Sequence, residues 1–187
     1  VVVFNHGSVA GHDLETGRLL WQAPYASGHV HVAAPLVLGN DRVLFSSGYG
    51  HGSELFTIRR ADNGAWSAEQ TWTTRRMKAK FCNLILHKGH VYGLDDGILA
   101  CIEAETGKQR WKDGRYGHGQ LLLVGDWLLV TSERGELVLI RPAPDALHEV
   151  ARVPVFDHKT WNPPALAGRR LYLRTDREAV CLELPAR

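Results

Sequence analysis

One nine-residue pattern constrains this chain more than any other feature, because it occurs twice. Asp13-Leu14-Glu15-Thr16-Gly17-Arg18-Leu19-Leu20-Trp21 returns as Glu103-Ala104-Glu105-Thr106-Gly107-Lys108-Gln109-Arg110-Trp111. Both copies read acid-x-Glu-Thr-Gly-base-x-x-Trp: a strand end, a tight Thr-Gly reversal, and a strand carrying a large aromatic. Gly supplies the positive φ that a two-strand reversal needs. The Trp is expected to lie over the turn and cover a strand that would otherwise be half wet. A repeated hairpin implies one architectural unit used several times.

Elsewhere, short β-branched or Leu-rich runs alternate with Gly, Asp, Asn and Pro. No long stretch carries apolar residues at helical spacing. Taking the hairpin as the outer pair of a four-stranded unit brings the rest into register. Strands are predicted near 1–5, 8–14 and 18–24; then 32–38, 42–48, 53–60 and 66–73; then 83–88, 90–95, 98–104 and 108–112. Two further groups follow, near 119–125, 127–132, 136–142 and 148–155, and near 163–168, 170–175 and 178–184. Ala61-Asp62-Asn63-Gly64 is a degenerate outer turn, with Trp72 in the aromatic role, and Pro142-Ala143-Pro144-Asp145 replaces it once more.

Inner reversals at Gly39-Asn40-Asp41, Lys88-Gly89, Gly125-Asp126 and Gly168-Arg169 repeat at about 40–50 residues, the period of a β-propeller blade. The expected fold is all-β: a propeller of four-stranded antiparallel blades, seen as an incomplete ring. Residues 1–24 and 157–187 are expected as partial blades, and 25–74, 75–114 and 115–156 as complete ones. Open edges are a liability, so the chain is expected to be the C-terminal part of a larger propeller. It opens on Val1-Val2-Val3-Phe4, without Met, basic n-region or apolar h-region.

Composition narrows the function classes. The net charge of +2 gives no broad footprint for nucleic acid. No apolar run approaches the roughly 18–20 residues of a membrane helix. Three cysteines cannot build a disulfide framework.

Asp13-x-x-Thr16-Gly17-Arg18-x-x-Trp21 and Glu103-x-x-Thr106-Gly107-Lys108-x-x-Trp111 resemble the tryptophan-docking repeat of the PQQ-like β-propellers. That superfamily includes quinoprotein alcohol dehydrogenases and the assembly lipoprotein of the outer-membrane β-barrel insertion machinery. The family's small residue two positions before the acid corresponds to Gly11 and Cys101, with Cys181 aligned to Cys101. The resemblance implies a periplasmic or extracellular setting. In the dehydrogenases PQQ and Ca²⁺ sit over the central channel beside an adjacent-cysteine disulfide. This chain has no Cys-Cys pair.

In such a fold the connections between blades share one face with the middle turns of the blades. That face collects nearly all the unusual residues: His29 and His31, Tyr49 and His51, the Arg75-Arg76-Met77-Lys78-Ala79-Lys80 run, Asn83, His118, and Lys159-Thr160-Trp161-Asn162. Loops carry function more often than scaffold does. His29 and His31, two apart on a predicted strand, would project to one side. With His51 and His118 they could bind a metal, or they could serve tight loop packing in Gly50-His51-Gly52 and Gly117-His118-Gly119. No short-spaced metal motif is present. Lys78 and Lys80 would point inward together towards an anion. Trp161 and Asn162 could give a stacking platform and an amide, and a packed Trp is the alternative. Asp95-Asp96-Gly97 and Asp176 read as turn residues, since Glu133 and Arg134 stand at the same place without evident purpose. Cys101 and Cys181 read as small buried strand residues, and Cys82 as the cysteine at a channel entrance.

No nucleophile elbow, phosphate loop or dinucleotide fingerprint is present. The favoured expectation is a non-catalytic binding or scaffold propeller whose loop face takes a protein, small-molecule or polysaccharide ligand. The alternative is a PQQ-dependent dehydrogenase with Ca²⁺, and a metal enzyme built on the four histidines ranks behind both.

Overall fold

The computed structural model describes residues 1–25 and 28–185; Ala26 and Ser27 of the first inter-sheet connection, and Ala186 and Arg187, lie outside. The described residues form eighteen strands and no helix. The first sheet is β1 (Val2–Asn5), β2 (Ser8–His12) and β3 (Leu19–Pro24). The second is β4 (Leu36–Gly39), β5 (Arg42–Ser47), β6 (Gly52–Arg60) and β7 (Trp66–Thr74). The third is β8 (Ile85–His87), β9 (His90–Asp95), β10 (Ile98–Glu103) and β11 (Gln109–Arg115). The fourth is β12 (Gln120–Val124), β13 (Trp127–Thr131), β14 (Glu136–Ile140) and β15 (Glu149–Pro154), and the fifth is β16 (Ala165–Ala167), β17 (Arg170–Arg174) and β18 (Ala179–Glu183). Each sheet is an antiparallel meander in chain order, and none closes on itself. This is an incomplete propeller ring.

Period-2 alternation stacks the sheets. In the second sheet Val43, Phe45, Phe56 and Ile58 pack towards the first, whereas Leu44 and Leu55 pack towards the third. In the fourth, Leu128, Val130, Val138 and Ile140 face the third, and Leu129, Leu137 and Leu139 face the fifth. A middle sheet buried on both faces therefore needs continuous apolar strands, as in Val43-Leu44-Phe45 and Leu128-Leu129-Val130. The first strands of the second and third sheets are short, at four and three residues, and the chain approaching them is bonded sideways: Ala34 donates to Asn83 Oδ1, and Ala79 to Ser46 Oγ.

The two outer turns carry near-identical bonds. Gly17 N–H donates to Asp13 O and Gly107 N–H to Glu103 O. Thr16 Oγ1 donates to Asp13 Oδ1 at 2.7 Å, and Thr106 Oγ1 to Glu103 Oε2 at 2.7 Å. Those bonds hold both carboxyls below their ordinary range. Both glycines have φ of 70°.

The tryptophans differ from expectation, for they do not lie over their own turns. Trp21, Trp72 and Trp111 occupy one register position, opposite Gly11, Leu55 and Cys101. From there Trp72 lies against Gly107 of the next sheet, and Trp111 Nε1 donates to Ala143 O in the outer turn of the sheet after its own, at 2.9 Å. Trp21 covers Gly11, where a Cβ would overlap its indole, and packs with Phe56 and Ile58 of the second sheet. A strand residue points perpendicular to its sheet, so the rings of Trp72 and Trp111 reach the next sheet, while that of Trp21 also covers its partner strand β2.

Two cysteine expectations are corrected. Cys82 is buried, and loss of solvent pushes its thiol up to about 11. Such a thiol is inert. Cys181 is exposed, because no described sheet covers that face of β18. Cys101 is buried as expected.

Candidate functional site

Each connection between sheets wraps the middle turn of the sheet it leaves and of the sheet it enters. Ser46 and Ser53 Oγ donate to Met77 O, at 3.1 and 2.6 Å, while Lys78 N–H donates onward to Asp95 Oδ1 at 3.0 Å. This construction gathers the loop-face residues, and it sorts the expected site residues into three groups.

The first group is structural packing. His31 lies flat on Phe4, with centroids 4.0 Å apart, and edge-on to Tyr25. His51 meets Tyr25 at a tilt, with centroids 4.4 Å apart, and its Nε2 meets Glu54 Oε1 at 2.8 Å. Tyr25 OH donates to Gly52 O. His29 and His31 do not project together, because residues 28–35 carry no strand; His29 stacks on Tyr49 at 4.8 Å. His118 belongs to a different cluster. Among the described residues no three or more His, Cys, Asp or Glu are placed to hold a metal ion, so the four-histidine set is not assembled. Asn83 spends its amide oxygen on Ala34, and Asn162 N–H donates to Thr160 Oγ1. Both Gly-His-Gly loops are tight: a Cβ at Gly52 or Gly119 would overlap backbone oxygen, of Thr74 or Thr131.

His31 makes a pH prediction. Burial, with the neighbouring His51 and His6, lowers its pKa, and its Nε2 is buried without a partner. The folded chain therefore binds the His31 proton less readily than the unfolded chain. Stability is present above the unfolded value of about 6.5 and falls as pH drops through it towards the folded value. The thermal midpoint is expected to fall between pH 7.5 and 5.5, and His31→Phe, which keeps the stack on Phe4, should flatten that slope. Equal slopes in the two proteins would dismiss His31 as the source.

The second group is a buried carboxylate clamp. Asp95, only 1% exposed, accepts from Lys78 Nζ and Lys112 Nζ at 2.5 Å each. Burial alone would raise its carboxyl, but the two ammonium groups hold it below the ordinary range. Lys78 also meets Asp96 at 3.3 Å. Lys78 and Lys80 thus part company: the first is neutralised, the second is not. Asp95, read from sequence as a turn residue, anchors the connection at Lys78, through both its N–H and its Nζ.

The third group forms an arch across the second to fifth sheets. Lys80 Nζ stands 4.5 Å from the Tyr49 ring centroid and 5.4 Å from that of Phe81. Phe81 stacks on Trp161 at 5.1 Å and 24°, and Lys159 Nζ stands 3.8 Å from the Trp161 ring. His118 meets Phe81 edge-on. Two stacked rings are therefore bracketed by two cations.

Two residues missed by sequence reasoning hold the arch rigid. Buried Gln120 donates from one Nε2 to Phe81 O at 2.7 Å and Trp161 O at 3.0 Å. Glu133 accepts from the Trp161 indole at 2.9 Å and from His118 N–H at 3.0 Å. Burial would raise the Glu133 carboxyl, and these donors hold it below its ordinary range. The available signal was positional, since Glu133 stands before its turn as Asp95 does.

Repeated antiparallel sheets joined by differing connections define a propeller-type fold, in which the scaffold repeats while the loop face varies, and such a fold supports a binding or scaffold role. The chain belongs to the family described as outer membrane protein assembly factor BamB, whose profile matches residues 1–113. BamB from Moraxella catarrhalis is similar in structure, with a TM-score of 0.52 and 16% identity over 95% of this chain and 66% of that one. A europium-containing methanol dehydrogenase aligns at 18% identity over 68% of this chain and 26% of the other, with a TM-score of 0.48. The chain thus spans just under two thirds of the first and about a quarter of the second. No curated protein sequence matches it.

Proposed function

We propose that this chain is a non-catalytic binding propeller that engages a protein partner through its loop face. The Lys80–Phe81–Trp161–Lys159 arch is the centre of contact. The observation that carries this reading is Trp161. The residue is 40% exposed, yet its indole N–H, ring face and backbone carbonyl are each engaged. An exposed aromatic already fixed in place loses little entropy on binding, and aromatic anchors beside cations dominate many interfaces. Membership of a family described as an assembly factor supports a protein partner, and with it a periplasmic setting at the outer membrane.

The dehydrogenase alternative finds less support. The described residues do not fit a PQQ–Ca²⁺ site. They gather no acidic set for the ion, and two of the carboxylates at the face, Asp95 and Glu133, are held by internal donors.

A photo-crosslinking side chain placed at His158 or Arg177 on the loop face tests the proposal against placements at Asn40 and Arg169, in the opposite turns. In cells carrying the complete protein, the face positions should give one and the same protein adduct. Adducts confined to Asn40 and Arg169 would refute the assignment.

A further inference from the structure

Beside Trp161 the loop face opens into a cleft of about 750 Å³ bounded by Arg115, His118, Glu133, Arg134, Asp157 and Lys159. On the other side of Lys159 a second, of about 540 Å³, is bounded by Trp161, Asn162, Asp176 and Arg177. Lys159 stands between the two.

The carboxylates next to these clefts are mostly engaged. Asp95 serves Lys78 and Lys112, Asp96 meets Lys78, and Glu136 is paired with Arg152. Glu133 accepts two protein N–H groups. By contrast Lys80, Arg115, Arg134 and Lys159 have no carboxylate within 4.0 Å among the described residues. Lys80 and Lys159 rest on rings instead, and a cation–π contact leaves the ammonium's charge and remaining donors available. The positive rim is interrupted, since Asp157 and Asp176 also border the clefts. A polymer with a negative charge on every unit would set some of them against these acids. A peptide carrying carboxylates at intervals would not.

We propose that this double cleft recognises an extended acidic peptide segment, with its carboxylates on Lys159 and Arg134. The proposal rests on the reading of this face as a protein-binding site and names the chemistry of what is bound. In an extended peptide, alternate side chains share one side, so acids at every second position present a row to Lys159 and Arg134. The peptide's intervening apolar groups then cover the open edge of Trp161.

The probe is a fluorescent peptide alternating Glu and Leu, titrated into the complete protein. A Gln-Leu peptide and a hexuronate oligosaccharide of the same charge serve as comparisons. The Glu peptide should bind at least about tenfold more tightly than the Gln peptide, and less tightly as salt rises from roughly 0.1 to 0.5 M. Lys159→Gln with Arg134→Gln should remove about tenfold, and the charge reversals Lys159→Glu with Arg134→Glu should remove more. Both residues are exposed, so the thermal midpoint should hold. Equal binding of the Gln peptide, unchanged binding by the variants, tighter binding of the uronate, or no binding by any probe would each overturn the proposal. Crosslinks from His158 and Arg177 that persist in such a case would leave the protein-binding reading standing. Their loss would remove both.

Discussion

Gly107→Ala is expected to destabilise the protein by about 3 kcal/mol, whereas Gly17→Ala, at the same place in the same turn, is expected to lose only about 1 kcal/mol. The two turns share their hydrogen bonds and their φ of 70°. A side chain in that left-handed region costs about 1 kcal/mol at either site. The difference lies in what a Cβ would meet. At Gly17 nothing stands within 4 Å, while at Gly107 the ring of Trp72, from the preceding sheet, lies 2.7 Å away. The added methyl must push that ring off its seat, and with it one of the contacts that join the second sheet to the third. Urea unfolding of both variants measures the two terms separately. Equal losses would mean that the ring–turn contact adds nothing to stability.

The second large effect is at Asp95. Asp95→Ala leaves Lys78 and Lys112 facing each other with the shared carboxylate gone, and removal of one partner from a buried ion pair costs about 3–5 kcal/mol. Asp95→Asn should cost less, because an amide oxygen still accepts from Lys78 N–H. The acid limb provides an independent check. The folded carboxyl lies below its unfolded value, so its contribution is present above about pH 4 and is lost as pH falls through the folded value. The wild type should therefore lose stability more steeply than Asp95→Asn below pH 4. Parallel acid limbs would show that the clamp is not the source.

The loop face divides according to what a sequence can express. Unusual residues in the connections were visible as such, because the repeating strands supply a background against which Tyr49, Lys80, His118 and Trp161 stand out. Their partners were not visible. Gln120 bridges Phe81 and Trp161, some forty residues to either side, and Glu133 is set by a turn lying under His118 and Trp161. Strand alternation suggested that Lys78 and Lys80 would act together, but the segment carries only an isolated bridge between Ala79 and Asp95. Asp95 captures one lysine, and Tyr49 and Phe81 draw the other. The same irregularity separates His29 from His31.

By itself the sequence determined the all-β class, the repeating four-strand unit and the positions of its turns. These follow from local rules, namely period-2 apolar runs and glycines where φ must be positive. Tertiary structure alone decided where each tryptophan lands, which lysine is neutralised, and which aromatic rings meet. Those outcomes depend on how adjacent sheets stack, and residues brought together that way are far apart in the chain. A one-dimensional pattern fixes the direction a side chain leaves its strand, while the neighbouring sheet fixes what it touches.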